Sequence, residues 1–230
     1  MRAKTISLAF RASLPVMAGY LVLGLGFGVL LQAQGYGILW SLLMSTTIYA
    51  GSMQYAALDL ISGGASLITT ALMTLMINAR HFFYGLSMLD KYQDTGKRKP
   101  YLIFALTDET YSLVCSQVPA EAEPNSYYFW VSLLDQLYWI AGSVLGSLLG
   151  SVLPFDSTGM DFAMTALFVV IFVEQWLSAK SHIPALLGLG ISLICLLILG
   201  PDRFVIPAMV LITLVLAALR KKLEVTDHGE

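Results

Sequence analysis

The chain has 230 residues, of which 57% are hydrophobic and 12% charged, with a mean hydropathy of +0.74 and a net charge of −2. A soluble domain carries about 25% charged residues, so this composition excludes an ordinary soluble enzyme and indicates a polytopic, all-α membrane helix bundle. No basic stripe with interleaved aromatics is present, which argues against a nucleic-acid partner.

A bilayer crossing takes about 20 apolar residues. Eight candidate runs follow one another near 13–33, 39–61, 66–90, 101–119, 126–151, 160–179, 184–200 and 203–220, with short gaps and no soluble insertion. The expectation is a single integral membrane domain over 1–230. Arg2, Lys4 and Arg11 precede the first run without a small-residue cleavage site, so no cleaved signal peptide is expected. Glycines 24, 26 and 28, after Pro15 and Gly19, suggest that run one unwinds locally.

Basic residues cluster at Lys91, Lys97, Arg98 and Lys99, at Lys180, and at Arg220–Lys222. The positive-inside rule puts all three on the cytoplasmic side. Eight crossings would separate the first two clusters, so one run between them must turn back. Run four (101–119) is the most polar and is the one expected to be re-entrant. The result is seven spanning helices plus one re-entrant segment, with the N-terminus outside in spite of its basic residues. Runs one to three and five to seven then start on opposite sides. An inverted 3+3 repeat fits that threading about as well as chance likeness between Gly-rich membrane helices.

Two stretches break the apolar pattern. Asn78-Ala79-Arg80-His81 followed by Tyr84-Gly85 places a cation in run three, and Thr107-Asp108-Glu109 places two carboxylates in run four. An arginine near the bilayer centre costs roughly 2.5–3.5 kcal/mol on insertion scales. Arginine does not readily neutralise, so Arg80 is expected within hydrogen-bond or single-water reach of Asp108 or Glu109. Adjacent carboxylates repel in a low dielectric, so one is expected to pair while the other carries a proton. The competing view makes Arg80 an interfacial anchor near the basic loop. It leaves the clustering of Asn78, His81 and Tyr84 unexplained. Asp59, Asp135 and Glu174 are weaker candidates.

The Gly51-Ser52 pair, with Gln54 beyond it, is expected to break run two and expose backbone amides. Gly142, Gly146 and Gly150 share one face of run five, with serines beside them, and read as a helix-packing surface. Cys115 and Cys195 lie in apolar runs and read as small buried hydrophobes. No His or Cys cluster has metal-ligand spacing, so no metal or cofactor is expected.

Tyr49-Ala50-Gly51-Ser52-Met53-Gln54-Tyr55, Arg80-His81-x-x-Tyr84-Gly85, Thr107-Asp108-Glu109 and Asp161 to Phe168, together with Leu14-Pro15-Val16, resemble the AzlC family in order and spacing. These are large subunits of bacterial branched-chain amino-acid exporters, also called the BrnF or YgaZ type. The likeness runs from about 10 to 215. Thr165 stands where the family commonly carries proline, so no proline kink is expected there in run six. The resemblance implies export of valine, leucine and isoleucine, with methionine as a further substrate, across the cytoplasmic (inner) membrane. It also implies a small AzlD-type membrane subunit as partner.

A zwitterionic substrate needs donors for its carboxylate and an acceptor for its ammonium. Arg80, or amides freed at Gly51-Ser52 or in run one, are the expected donors and Asp108 or Glu109 the expected acceptor, with Gln54, Asn78, Tyr84 and Thr107 lining the site and Met53, Phe82 and Phe83 as candidates for apolar contact. Asp108 and Glu109, relayed by His81, are the expected proton-coupling groups. No nucleotide motif exists, so a proton gradient is the expected driving force. A scaffold subunit whose partner forms the path is the alternative; a membrane-embedded enzyme lacks its motifs.

Overall fold

The computed structural model describes residues 2–152, 169, 172–173, 176–177, 181–200 and 204–227. These residues are helical with connecting turns, and no strand occurs among them. The chain divides into two compact units, Met1–Met160 and Asp161–Glu230.

The first unit is built on two long helices, α1 (Arg2–Ala33) and α7 (Pro124–Val152). They lie side by side and run in the same direction. The Glu123 amide donates to Thr5 Oγ1 at one end, and Gly150 faces Val29 and Gln32 at the other. Between these ends the two backbones nearly touch. A Cβ built on Gly24 would lie 2.9 Å from the Ser143 nitrogen, and one on Gly142 2.9 Å from the Leu21 carbonyl. At Gly28 and Gly146 it would run into the Ser143 and Leu25 carbonyls. Glycine is therefore required for this approach. The small-residue face of run five packs against run one of the same chain. The expected unwinding of run one does not occur: α1 is continuous through Pro15 and its glycines, because those glycines serve contact rather than a break.

Run two is interrupted. Helix α2 (Ile38–Thr47) and helix α3 (Gly51–Ser62) flank a break in which Tyr49 takes a left-handed φ of 44° and Ala50 is extended. Tyr49 is buried, with its ring 6.2 Å from that of Phe104. A non-glycine residue held left-handed costs on the order of 1–2 kcal/mol, offset by this packing. α2 starts beside the C-terminal end of α1, where the Tyr36 amide bonds the Leu31 carbonyl, and ends at mid-length of α7, where Gln136 Nε2 donates to the Thr46 carbonyl. α3 starts at the same depth and climbs back. Gly51 abuts the Trp139 ring, and Tyr55 OH donates to the Leu23 carbonyl at 2.6 Å.

Helix α4 (Leu67–Ser87) then runs the whole way to the end bearing the start of α1, where Met88 and Tyr92 pack with Ala9, Tyr127 and Tyr128. A turn of 3-10 helix (Gln93–Arg98) leads into a second broken pair, α5 (Lys99–Phe104) and α6 (Asp108–Val114). α5 enters beside Phe129, over which Arg98 sits at 4.9 Å, and α6 returns to the same end. There Lys91 Nζ donates to the carbonyls of Val114, Cys115 and Ser116, satisfying the C-terminus of a very short helix. Run four turns back, as its polarity suggests.

Two expectations need correction. Run two also turns back, so the unit contains two opposed half-depth hairpins whose tips meet at Tyr49 and Phe104, and the assignment of one re-entrant segment to seven spans does not describe it. The N-terminus lies at the same end as the basic 91–99 segment: Lys4 pairs with Glu121 at 2.9 Å, and Asn125 Nδ2 donates to the Asp94 carbonyl. Arg2, Lys4 and Arg11 thus fall on the basic side instead of opposing it. α1 and α7, which open the two triplets, start at one end and run parallel, whereas the inverted threading needs them to start at opposite ends. The physical reason is common to both corrections: a buried left-handed turn at Tyr49 reverses a run long enough to cross.

Outside the bundle, Glu123 accepts from the Asn125 and Ser126 amides and caps α7. These bonds hold its carboxyl below the usual range. The cap's stabilisation is therefore present above the ordinary carboxylate pKa and lost as pH falls through the lowered one.

In the second unit, α8 (Ile183–Leu199) and α9 (Val205–Asp227) pack on each other across Gly200, whose φ is 75°. Cys195 and Ala208 are buried, and His182 stacks on Trp176 at 4.1 Å. Most of run six, including Asp161–Phe168 with Thr165, and also Glu174, Gln175 and Lys180, lies outside the described residues.

Two measurements test the arrangement. In a background lacking Cys115 and Cys195, single cysteines at Lys4 and Lys97 should react with an impermeant reagent from one side and a cysteine at Gln34 from the other. Labelling of positions 4 and 97 from opposite sides would restore the all-spanning reading of run two. Gly146→Leu should destabilise the chain by at least about 1–3 kcal/mol, the usual cost of overpacking, read as a lower melting temperature in detergent.

Candidate functional site

The site forms where the two hairpin tips meet the middle of α1, α4 and α7. Thr107 is the N-cap of α6, its Oγ1 accepting from the Thr110 amide. This fixes the direction of the first turn, which carries Asp108 and Glu109 where carboxylates interact favourably with the helix dipole. On α4, Arg80 and Tyr84 are one turn apart and face that same turn.

Arg80 Nη2 lies 2.9 Å from Asp108 Oδ2 and donates to Ser52 Oγ at 3.0 Å. Tyr84 OH donates to the other Asp108 oxygen at 2.6 Å. The pairing anticipated from charge alone is thus present, with Asp108 as the partner. Both side chains are about one-third exposed, at 32% and 34%. Arg80 Nε is buried without a hydrogen bond, so the guanidinium has donor capacity left.

Glu109 is not part of that pair. Its Oε2 accepts from Tyr20 OH of α1 at 2.7 Å. Tyr20 OH also lies 2.6 Å from Thr107 Oγ1, Thr107 and Thr110 Oγ1 are 3.1 Å apart, and Thr110 donates to Asp135 Oδ2 of α7 at 2.8 Å. Asp135 is 0% exposed and its other oxygen has no hydrogen-bond partner.

Ser52, Arg80, Tyr84, Thr107, Asp108 and Glu109 therefore come together. His81 stands at the edge of this group with its ring 5.9 Å from Tyr84. Asn78 is half-buried with Oδ1 unbonded. Gln54 does not join the group. It is fully buried, accepts from Trp139 Nε1 at 2.8 Å and donates to Ser45 Oγ, which occupies both ends of its amide. Gly51 begins α3 beside the site, and its lack of a side chain admits the Trp139 ring. Phe82 and Phe83 are 72% and 61% exposed and point away from the charges, whereas Met53 is buried. The expected apolar contact from the two phenylalanines is thus replaced by their exposure on the outer surface of α4. Tyr20 and Thr110 escaped the sequence reading. Lone hydroxyls in apolar runs are its only trace of them.

The arrangement predicts that Asp108→Asn and Glu109→Gln differ. Asp108→Asn strands Arg80 and should destabilise the folded chain by about 1–3 kcal/mol. Glu109→Gln retains an acceptor for Tyr20 and should stay within about 0.5 kcal/mol of the parent. Thermal melts in detergent check both.

Residues 15–153 match the family model described as AzlC protein. The chain is 46% identical over 217 residues to the Bacillus subtilis "Branched-chain amino acid transport protein AzlC", covering 94% of this chain and 85% of that one. It is likewise 46% identical to a Haemophilus influenzae "Uncharacterized membrane protein", covering 94% and 89%. Against the Escherichia coli "Inner membrane protein YgaZ" identity is 27%, over 74% of this chain and 72% of that one. No solved structure matches.

Proposed function

The chain belongs to the AzlC family, and on that premise we propose that it is the large subunit of a secondary exporter. It moves branched-chain amino acids out across the bacterial cytoplasmic membrane, with the proton gradient as driving force. Residues 1–230 act in this reading as one transport domain, working with a small AzlD-type subunit. The observation that carries the proposal is the Arg80–Asp108 ion pair, bonded to Ser52 and Tyr84, at the tips of two opposed half-depth hairpins.

Composition supports the membrane setting, and α1 is long and apolar enough over Lys4–Ala33 to cross a bilayer. In this reading α1, α4 and α7 cross, while α2–α3 and α5–α6 enter from opposite sides. Irregular backbone at membrane depth is tolerated where protein buries it or water lines it, and both breaks lie among protein. The end carrying Lys4, Lys91, Lys97, Arg98 and Lys99 is cytoplasmic. Helix α4, which has no buried side chain, offers Ile68, Leu75 and Phe82 at seven-residue intervals to lipid or to the small subunit.

The ion pair explains how a zwitterion binds. In its absence each charge satisfies the other. The substrate carboxylate takes Arg80, whose Nε is free to donate, together with Ser52 and the amides opening α3. The substrate ammonium takes Asp108, which Tyr84 holds in place. One internal ion pair is exchanged for two intermolecular ones, so no charge is left bare. Met53, one residue beyond Ser52, supplies apolar surface. Glu109, outside the ion pair but one residue from it, couples protonation to this exchange, with His81 beside Tyr84 as relay.

Leucine efflux from loaded vesicles containing the chain and its small subunit tests the reading. Efflux should require the proton gradient, fall at least about tenfold in Arg80→Lys because a bidentate fork is lost, and lose gradient dependence in Glu109→Gln. Gradient-independent efflux in the parent would remove proton coupling. Leucine binding that needs only the small subunit would favour the scaffold alternative.

A further inference from the structure

Asp135 has no part in the substrate exchange, yet it is fully buried and ends a row of side-chain oxygens that begins at Glu109. The row has four contacts: Glu109 Oε2 to Tyr20 OH (2.7 Å), Tyr20 to Thr107 (2.6 Å), Thr107 to Thr110 (3.1 Å) and Thr110 to Asp135 Oδ2 (2.8 Å). All four fall at hydrogen-bonding distance, and each such contact needs one proton between its oxygens. The three hydroxyls supply three protons. If both carboxyls were ionised, Tyr20 would donate to Glu109 and Thr110 to Asp135. The single proton of Thr107 would then fill only one of its two contacts, leaving the other with lone pairs face to face. One additional proton, on either carboxyl, completes the row.

We propose that Glu109 and Asp135 share one proton through Tyr20, Thr107 and Thr110, and that this row stores and returns the proton that drives transport. In one state Glu109 is the acid and every hydroxyl donates toward Asp135. In the other Asp135 is the acid and every hydroxyl donates toward Glu109. Passing between them breaks the Glu109 O–H bond, hands a proton through each hydroxyl in turn and forms an Asp135 O–H bond. One proton moves, no hydroxyl changes its own proton count and nothing is oxidised or reduced. Glu109 is half-buried beside the ion pair, so it exchanges protons with the site, whereas Asp135 is sealed. The orphaned second oxygen of Asp135 fits a neutral acid better than an anion, since a buried ionised carboxylate without donors is expensive.

The groups around the two ends are accounted for. Asp135 is faced by Thr110 from α6, Tyr49 from the α2–α3 tip, Tyr101 from α5 and Tyr127 from its own helix. Glu109 is faced by Tyr20 from α1, Arg80 and Tyr84 from α4, and Asp108 beside it. Arg80 is the one cation among these, and Asp108 already engages it. The Tyr49 hydroxyl, at the tip of the opposite hairpin, is buried near both carboxyls and makes no hydrogen bond among the described residues.

This inference rests on the transport reading for its purpose but not for its chemistry, and two measurements separate them. The first compares leucine counterflow, which needs no net proton movement, with gradient-driven leucine efflux in vesicles holding the chain and its small subunit. Thr110→Val, which keeps shape and removes the hydroxyl, should lower gradient-driven efflux at least about tenfold while counterflow persists, and Thr110→Ser should restore it. The second is infrared spectroscopy of the purified protein at neutral pH. A carboxylic-acid C=O band should be present, vanish in Asp135→Asn and shift in Thr110→Val. Absence of leucine counterflow in the parent defeats the transport reading and leaves the infrared band to decide the shared proton. Unchanged gradient-driven efflux in Thr110→Val, or no band sensitive to Asp135→Asn, overturns the proposal.

Discussion

The contact on which the structure depends is the backbone-to-backbone approach of α1 and α7. Gly24 and Gly28 on one helix meet Gly142 and Gly146 on the other, leaving no room for a single Cβ at the tightest points. Lipid supplies no hydrophobic force between helices, so close packing of this kind must hold them. Its consequence is positional. It sets Tyr20 of α1 at the depth of Trp139 on α7, ring centroids 5.4 Å apart, and presents the Tyr20 hydroxyl to Thr107 and Glu109. Without this seam Glu109 and Thr107, at the start of α6, would lose the α1 hydroxyl that links them.

The seam also explains why two hairpins can stop halfway. A chain end at mid-depth leaves amides and carbonyls without partners. Here the tips are enclosed. Gln54 ties α3 to Trp139 and Ser45, Gln136 receives the Tyr101 hydroxyl and donates to the end of α2, and Thr107 caps α6. Gln54, read from sequence as a substrate contact, is thus committed to holding the hairpin. Ser52, two residues earlier on the same short helix, is left to meet Arg80. The division of labour follows from which face of α3 meets α7.

Much of this was legible and some was not, for physical reasons. The apolar runs announce helices because hydropathy is additive along the chain. The Arg80–Asp108 pair was legible because an arginine in an apolar run has few ways to lower its cost, and the acids of run four were the nearest remedy by order. The reversal of run two was not legible. Residues 39–61 are apolar for a full crossing length, and Gly51-Ser52 marks a break without saying whether the chain continues or returns. What decides it is Tyr49 in a left-handed conformation held by Phe104, a tertiary contact with no local signature. Counting that run as a crossing then forced the N-terminus to the wrong end. Hydroxyls were missed for the opposite reason to charges: a tyrosine or threonine in an apolar run costs little, so nothing flags it until its neighbours are known.

The charges at the centre now fix what a proton can do there. Arg80 and Asp108 cancel. With one proton shared as proposed, Glu109 and Asp135 carry a single negative charge, which a second proton would remove. A zwitterion exchanging partners with the ion pair adds no net charge, so its binding does not by itself change the proton count. It does, however, draw Arg80 and Asp108 onto the substrate and alters the field at Glu109, one residue away. Arg80 and Asp108 act on Glu109 with opposite sign, so the change is the difference of two opposed Coulomb interactions. Substrate occupancy and the protonation of Glu109 are then linked through the field of the ion pair, and removing the hydroxyl row while preserving the ion pair would keep binding and cut Asp135 off from that link.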